Sequence, residues 1–245
     1  GASPAAAGAA GAATLRTARE PVPVLAYYYI WYDEASWLRA KTDYPLLGRY
    51  DSDDRAVMEE HVRLAREAGI DGFIVSWKST ETLDPRLRSL MEVAAAHDFA
   101  LWIIYQGLDV HRDPLPIERV DADLERFVSA FADHPAFGTD DRPVVIWSGT
   151  WRFSAPDVRS VVGAFRDRLA ILATERSVDG YLRLAATVDG NAYYWASVDP
   201  DTFPGYQDKL DEMGRAVHDH GGIWVAPAAP GFDARALGGT AVVVH

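Results

Sequence analysis

Residues 53–77, DDRAVMEEHVRLAREAGIDGFIVSW, contain one complete helix-to-strand step. Asp53 or Asp54 is suited to cap a helix, because a carboxylate accepts hydrogen bonds from the backbone N–H groups of the first turn. Four residues have the spacing of one helical face: Val57, His61, Leu64 and Ala68. Gly69 is expected to end the helix, and the apolar run 70–77 is predicted to be a buried strand.

The same step repeats along the chain. The predicted strands are 24–32, 70–77, 100–106, 142–148, 181–187 and 223–228. The predicted helices are 53–69, 84–99, 120–135, 155–172 and 206–222. Strands that alternate with helices are typical of a parallel sheet with helices outside, so we predict an α/β protein of the (β/α)8 TIM-barrel class with about six βα units present.

The predicted domain organisation has two parts. Residues 1–20 are rich in Ala and Gly and are predicted to be a flexible leader, since they offer few side chains for a core. Residues 21–245 are predicted to form the barrel domain. A complete barrel of this class has eight strands and about 250 residues. We therefore expect the C-terminal strands of the barrel to be missing from these 245 residues.

Composition excludes several functional classes. The formal net charge is −12 with no basic run, which argues against nucleic acid as a partner. The absence of cysteine excludes disulfides and thiolate metal sites. No run of about 18 apolar residues is present, so no membrane span is predicted. The dinucleotide, P-loop, HExxH and GxSxG motifs do not occur, so we predict no cofactor and no metal. The leader and the lack of cysteine suggest a secreted or extracytoplasmic protein.

Aromatic and polar residues recur at the predicted carboxyl ends of the strands, where barrels of this class place their functional groups. They include Trp31, Trp77, Trp147 and Trp195. One aromatic residue at a strand end is more often part of the core. Repeated around one edge beside hydrogen-bonding groups, such residues match a sugar, which has apolar C–H faces and peripheral hydroxyls. Together with the acidic charge, this pattern favours a neutral carbohydrate as partner.

A catalytic pair is not identified. Glycoside hydrolysis usually needs two carboxyl groups on opposite sides of the sugar. The acids placed near the predicted edge are Asp33, Glu34, Asp109 and Asp189. No Glu pair is present among them, and an Asp after a strand is often a turn residue or a helix cap.

Five segments, in order along the chain, carry a resemblance to a known family. They are AYYYIWYD (26–33), HVRLAREAGIDGFIVSW (61–77), HPAF…RPVVIW (134–147), DGNAYYWASVDPDTFPGY (189–206) and APAAPGFDAR (226–235). Together they resemble glycoside hydrolase family 99 and the related family 71-like barrels, which include bacterial endo-α-mannanases and the Golgi endo-α-mannosidase. The resemblance runs from about residue 22 to the end of the sequence.

The resemblance implies a (β/α)8 endo-acting, retaining glycosidase with no organic cofactor. In that family two glutamates in an Asn-Glu-Trp-x-Glu type motif do the chemistry. One assists attack of the 2-hydroxyl on C1 through an epoxide-like intermediate, and the other is the general acid/base. The motif does not occur in residues 1–245, so the catalytic glutamates are expected beyond residue 245. The family often has Glu-Pro at the end of the third strand. Gln106 stands there in this chain and can hydrogen-bond a hydroxyl without acting as a carboxylate.

The resemblance also implies roles for individual residues. Tyr29, Trp31 and Tyr32 match an aromatic motif on the glycone side, and Trp77 matches a tryptophan that packs under a sugar. Tyr193 or Tyr194 matches a tyrosine that reaches the reactive ring. The complete set of predicted substrate-binding residues is Tyr29, Trp31, Tyr32, Trp77, Lys78, Gln106, Asp109, Asp189, Tyr193, Tyr194 and Trp195.

Three hypotheses remain open at this point. The first is an endo-glycosidase domain that acts on α-linked oligosaccharide or polysaccharide and lacks its C-terminal part here. The second is a non-catalytic carbohydrate-binding relative that keeps the edge residues without the acid pair. The third is an unrelated α/β barrel enzyme that holds a divalent metal with Asp33, Asp109 or Asp189. The sequence does not predict an oligomeric state.

Overall fold

Seven strands form one parallel sheet, in chain order, in the computed structural model, which describes residues 22–39, 43–138, 142–193, 203, 205–228, 232–233 and 243–244. The strands are β1 (Leu25–Tyr29), β2 (Gly72–Trp77), β3 (Ala100–Gln106), β4 (Val144–Ser148), β5 (Ala170–Ala173), β6 (Gly190–Ala192) and β7 (Ile223–Val225). The helices are α1 (Arg55–Glu67), α2 (Leu83–Ala96), α3 (Ile117–Ala130), α4 (Ala155–Phe165), α5 (Val178–Leu182) and α6 (Tyr206–Asp219). Two further short strands, β8 (Phe232–Asp233) and β9 (Val243–Val244), pair antiparallel in a separate sheet.

Each strand of the main sheet pairs in parallel with the next strand along the chain, and an α-helix lies between every two consecutive strands of this sheet. Consecutive parallel strands joined through helices build a (β/α) barrel progressively around its axis. The predicted fold class is therefore confirmed as a partial (β/α) barrel. It contains seven strands where the sequence pattern gave six.

The step at residues 53–77 is present, but its helical face is rotated from the prediction. Asp54 caps α1 by accepting a hydrogen bond from the backbone N–H of Ala56, and Gly69 follows the helix with a φ of +79°. The buried residues of α1 are Met58, Val62 and Ala65, whereas Leu64 is exposed. The observed face has the predicted spacing moved by one residue. Because Val57 and Met58 are both apolar, the pattern alone does not fix the rotation of the helix.

The predicted strand at 181–187 is wrong. This region begins within α5, and its buried residues Tyr181, Leu184 and Thr187 follow one another at intervals of three, which is a helical spacing. The fifth strand lies earlier, at β5, and overlaps the end of the stretch predicted as a helix over 155–172. A four-residue apolar strand that follows an apolar helix closely has no periodicity of its own to reveal it.

The core has two layers, one on each face of the sheet. The outer layer, between sheet and helices, takes Phe73, Val75 and Trp77 from β2. The inner layer, toward the barrel axis, contains Ile74, Ile104, Ile146, Leu172 and Ala192. Since successive side chains of a strand point to opposite faces, this division fixes which residue of each strand end is directed to the barrel interior.

Some predictions fall outside what the structure describes. The proposed leader, 1–20, lies outside the described residues, and the assignment of 21–245 to one domain stays a prediction. None of the described helices is long and apolar enough to cross a membrane.

Candidate functional site

Polar side chains occupy the inner face of the sheet where the first strands end. Ser76 follows the inner-layer residue Ile74 by two positions in β2, and Gln106 has the same relation to Ile104 in β3. Tyr29 pairs with Ser76 across β1 and β2. The Gln106 amide Nε2 donates a hydrogen bond to the Ser76 hydroxyl at 3.1 Å. These strand ends therefore place a connected polar surface above the apolar barrel interior.

The fourth strand extends this surface. Ser148 pairs with Gln106 in the register of β3 and β4, and it is buried. Two hydroxyls and a carboxamide thus follow one another around the inner edge, from Ser76 to Gln106 to Ser148. Each can donate and accept hydrogen bonds, as a ligand rich in hydroxyl groups requires.

An aromatic segment directly follows β1. Trp31 is 46% exposed, and its ring centroid lies 5.1 Å from that of Tyr29 and 5.3 Å from that of Tyr32. Tyr32 in turn stacks on the buried ring of Trp37 at 4.8 Å. Three of the predicted residues, Tyr29, Trp31 and Tyr32, are therefore brought together beside the polar inner edge, and Trp31 presents an accessible ring.

Asp109 and Lys78 lie on the loops after β3 and β2. The Asp109 Oδ1 atom accepts hydrogen bonds from the backbone N–H groups of Asp113 at 2.9 Å and His111 at 2.8 Å. The hydrogen bond from Asp113, followed by that from His111 and by the nearby charges of His111 and Lys78, lowers the pKa of Asp109. Asp109 is thus a turn residue that shapes its own loop.

Trp77 occupies a different place from the one predicted. It is completely buried in the outer layer, with its ring centroid 5.7 Å from Phe127 and 6.1 Å from Phe131. Its indole Nε1 donates to the Asp84 carboxylate at 3.2 Å. The parity of β2 directs Trp77 away from the barrel interior, so the interpretation of Trp77 as a sugar platform is corrected to a core residue.

Asp189 is also corrected, because the strand that was expected to end before it does not exist. It precedes β6 and therefore lies at the amino edge of the sheet, opposite to the edge that carries Gln106. Its carboxylate accepts hydrogen bonds from Arg142 Nη2 at 2.6 Å and from the backbone N–H of Ile171 at 2.9 Å. Asp189 thus connects Arg142, which precedes β4, to β5. Because it lies at the opposite edge of the sheet, it is not placed to share a metal ion with Asp109.

The last predicted residues follow β6. Tyr193 is 3% exposed, and the Lys209 ammonium lies 5.3 Å from the centroid of its ring. Tyr194 and Trp195 lie outside the described residues. Within the described part of the chain, no group of three His, Cys, Asp or Glu side chains is arranged to hold a metal ion.

One acid at the carboxyl edge was missed by the sequence analysis. Glu175 follows β5, and its side chain is 3% exposed and pairs with Arg183 at 2.8 Å. Its burial raises the pKa of Glu175 despite hydrogen bonds from Thr150 and Arg183. Correct placement of β5 would have identified it. Its carboxylate is engaged by these partners and secures the loops after β4 and β5.

Comparison with known proteins supports the fold of this site. No protein family matches the sequence, and a search of the curated proteins also finds no match. Among solved structures, the GH99 endo-α-mannosidase from Bacteroides thetaiotaomicron in complex with BIS-TRIS propane has a TM-score of 0.73 at 18% identity, covering 87% of this chain and 71% of that chain. A second structure of that enzyme has a TM-score of 0.73 at 17% identity, covering 86% and 73%.

A third structure, of a glycoside hydrolase-like protein, has a TM-score of 0.60 at 13% identity and covers 93% of this chain and 79% of that chain. The predicted resemblance to family 99 is thereby confirmed for the fold. The chain has a glycoside hydrolase-like, family 99-like partial barrel.

Proposed function

We propose that this protein binds α-linked oligosaccharide or polysaccharide at the inner carboxyl edge of its barrel, as an endo-α-mannosidase-like glycoside hydrolase. The observation that carries the proposal is the continuous surface formed by Ser76, Gln106 and Ser148 beside the exposed ring of Trp31. Hydroxyl and amide groups match the edge of a sugar, and an indole face matches its C–H surface.

The similarity of the fold to the GH99 endo-α-mannosidase selects α-linked mannose polymers as the first ligands to test. We assign no catalytic residue. The retaining mechanism implied by the resemblance needs a pair of glutamates, and the motif that carries them does not occur in residues 1–245. Lys78, Asp109 and Tyr193 remain proposed contacts that would act from loops around the same edge.

Calorimetric titration with α-mannan fragments and other α-linked oligosaccharides tests binding directly. We expect an α-mannan fragment to bind, and Gln106→Ala to weaken binding about tenfold by removing a hydrogen bond to a hydroxyl and exposing Ser76. Gln207→Ala is the matched control, since Gln207 lies on α6 and its amide donates to Asp211 at 3.3 Å on the exposed helix surface. Unchanged affinity in Gln106→Ala, or an equal loss in both variants, would contradict this site.

Incubation of the protein with the same sugars, followed by separation of the products, tests catalysis. Internal cleavage with retained anomeric configuration would support the glycosidase. Binding without any product would instead favour the non-catalytic carbohydrate-binding relative. The secreted or extracytoplasmic location stays part of the proposal and is checked by fractionation of the producing cell.

A further inference from the structure

Arg86 is a buried arginine beneath the segment that follows β1. It lies in the first turn of α2 and is 5% exposed. Its Nη1 donates to the backbone carbonyls of Ile30 and Tyr32, both at 3.2 Å. Its Nε and Nη2 donate to the Asp53 carboxylate at 2.8 and 2.6 Å, and Nη2 also donates to Asp51 at 3.1 Å. A guanidinium has five N–H donors, so these five bonds use its full capacity.

The two carbonyls that Arg86 binds are those on either side of Trp31. The same segment is joined to the start of the next helix by a second pair of hydrogen bonds. The Tyr32 backbone N–H donates to the Ser52 hydroxyl at 3.1 Å, and the Ser52 backbone N–H donates to the Tyr32 carbonyl at 2.9 Å. The backbone around Trp31 is therefore held by the Arg86 side chain and by the segment that contains Ser52.

The ring of Trp31 is held less firmly than its backbone. It is 46% exposed, meets Tyr29 edge to face at an interplanar angle of 70°, and is tilted at 45° to Tyr32. Tyr32, in contrast, stacks against the buried Trp37. Because almost half of Trp31 is exposed, the position of its backbone sets where the ring is presented.

We propose that Arg86 is a positioning residue for sugar binding, which fixes Trp31 at the mouth of the barrel before the ligand arrives. This inference rests on the proposed function of the same site. A platform that is already ordered avoids the cost of ordering at the moment of binding. Loss of the hydrogen bonds from Arg86 to the Ile30 and Tyr32 carbonyls should weaken affinity for the sugar by about three- to tenfold. This range corresponds to the free-energy cost of ordering one large side chain.

Charge explains why an arginine is required. Asp51 and Asp53 both lie against Arg86, which holds the pKa of Asp53 low chiefly through its hydrogen bond to that carboxylate. An uncharged residue at position 86 would leave two neighbouring carboxylates without a cation. A lysine would keep the charge but has only three donors and lacks the planar fork, so it cannot serve both carbonyls and both carboxylates at once.

The experiment compares Arg86→Lys with Arg142→Gln. Arg142 is the matched control, because it also donates to two carbonyls, of Arg166 at 2.6 Å and Leu169 at 2.8 Å, and to one carboxylate, of Asp189. It does so at the amino edge, away from Trp31. Affinity for α-mannotetraose is measured by calorimetry at a temperature where melting curves show each variant folded.

We expect Arg86→Lys to bind about three- to tenfold more weakly than wild type and Arg142→Gln to bind equally well, even if both melt earlier. A second readout needs no sugar. Iodide quenching of tryptophan fluorescence, with Trp31→Phe subtracted in each background, reports the accessibility of Trp31. We expect this accessibility to increase in Arg86→Lys and not in Arg142→Gln.

An equal loss of affinity in both variants would overturn the proposal, because it would mean that Arg86 stabilises the fold in general and does not position Trp31. So would unchanged affinity and unchanged quenching in Arg86→Lys. If the wild-type protein binds no α-linked sugar, the proposed function fails and sugar-binding positioning fails with it. The quenching difference then still decides whether Arg86 orders Trp31, so the two failures remain distinguishable.

Discussion

Trp77 and Trp31 should respond to substitution in opposite ways. Trp77 is fully buried, contacts Phe127 and Phe131, and donates to Asp84 at 3.2 Å. Its truncation in Trp77→Ala should lower the free energy of unfolding by about 3–5 kcal/mol through the lost burial and the cavity that remains. Trp31 is 46% exposed, so Trp31→Ala should change the free energy of unfolding by about 1 kcal/mol or less.

Ligand binding should show the reverse order. Folded Trp77→Ala should bind α-mannan fragments as wild type does, whereas Trp31→Ala should lose about five- to tenfold in affinity. Urea denaturation followed by circular dichroism gives the first quantity, and calorimetry below the transition gives the second. If Trp77→Ala does not fold, Trp77→Phe replaces it, with an expected loss of about 1–3 kcal/mol for the missing indole donor and altered packing. A stable Trp77→Ala that fails to bind sugar would refute the assignment of Trp77 to the core.

Four further predictions concern packing and pH. Gly107→Ala should lower the free energy of unfolding by about 1–3 kcal/mol in urea denaturation, because the new Cβ would clash with Trp147 Nε1 and the Ser148 carbonyl. Gly163→Ala in α4, with nothing within 4 Å, should instead raise it by about 0.5–1 kcal/mol. Burial lowers the pKa of His61 from 6.5, so wild type should lose stability relative to His61→Gln as pH falls through 6.5 toward the lower folded pKa. Burial raises the pKa of Glu175 from 4.5, so wild type should lose stability relative to Glu175→Gln as pH rises above 4.5, which denaturation at two pH values checks.

The fold could be predicted from the sequence because the βα step is long and repeats. Residues 84–99 and 206–222 have enough turns for their amphipathic pattern to be unambiguous, and both overlap observed helices. The strand β5 could not be predicted, for the opposite reason. It has four residues, all buried, and it is separated from α4 by only residues 166–169. Because the fifth strand was predicted at 181–187, Asp189 was assigned to the wrong edge of the sheet and Glu175 was not recognised as a residue of the carboxyl edge.

The candidate site was predictable only in part, because sequence does not reveal which face of a fully buried strand a residue occupies. In an antiparallel sheet with one wet face, polar and apolar residues alternate and mark the faces. In β2 both faces are covered and five of the six residues are buried, so residue type alone does not assign Ser76 or Trp77 to the barrel interior. Gln106 was identified correctly as an edge residue, and its hydrogen bond to Ser76 needed the structure.

The register explains why aromatic residues recur at these strand ends. Trp77 pairs with Tyr105, and Tyr105 pairs with Trp147, so all three lie side by side on the outer face. They are completely buried and close the space between the sheet and the helices. The inner positions beside them hold smaller polar residues, Ser76, Gln106 and Ser148. The large side chains thus lie on the outer face, and the smaller polar side chains lie on the inner face. Trp31 follows the end of β1 and is free of the alternation of the strands, which is why a loop residue, and not a strand residue, supplies the accessible ring.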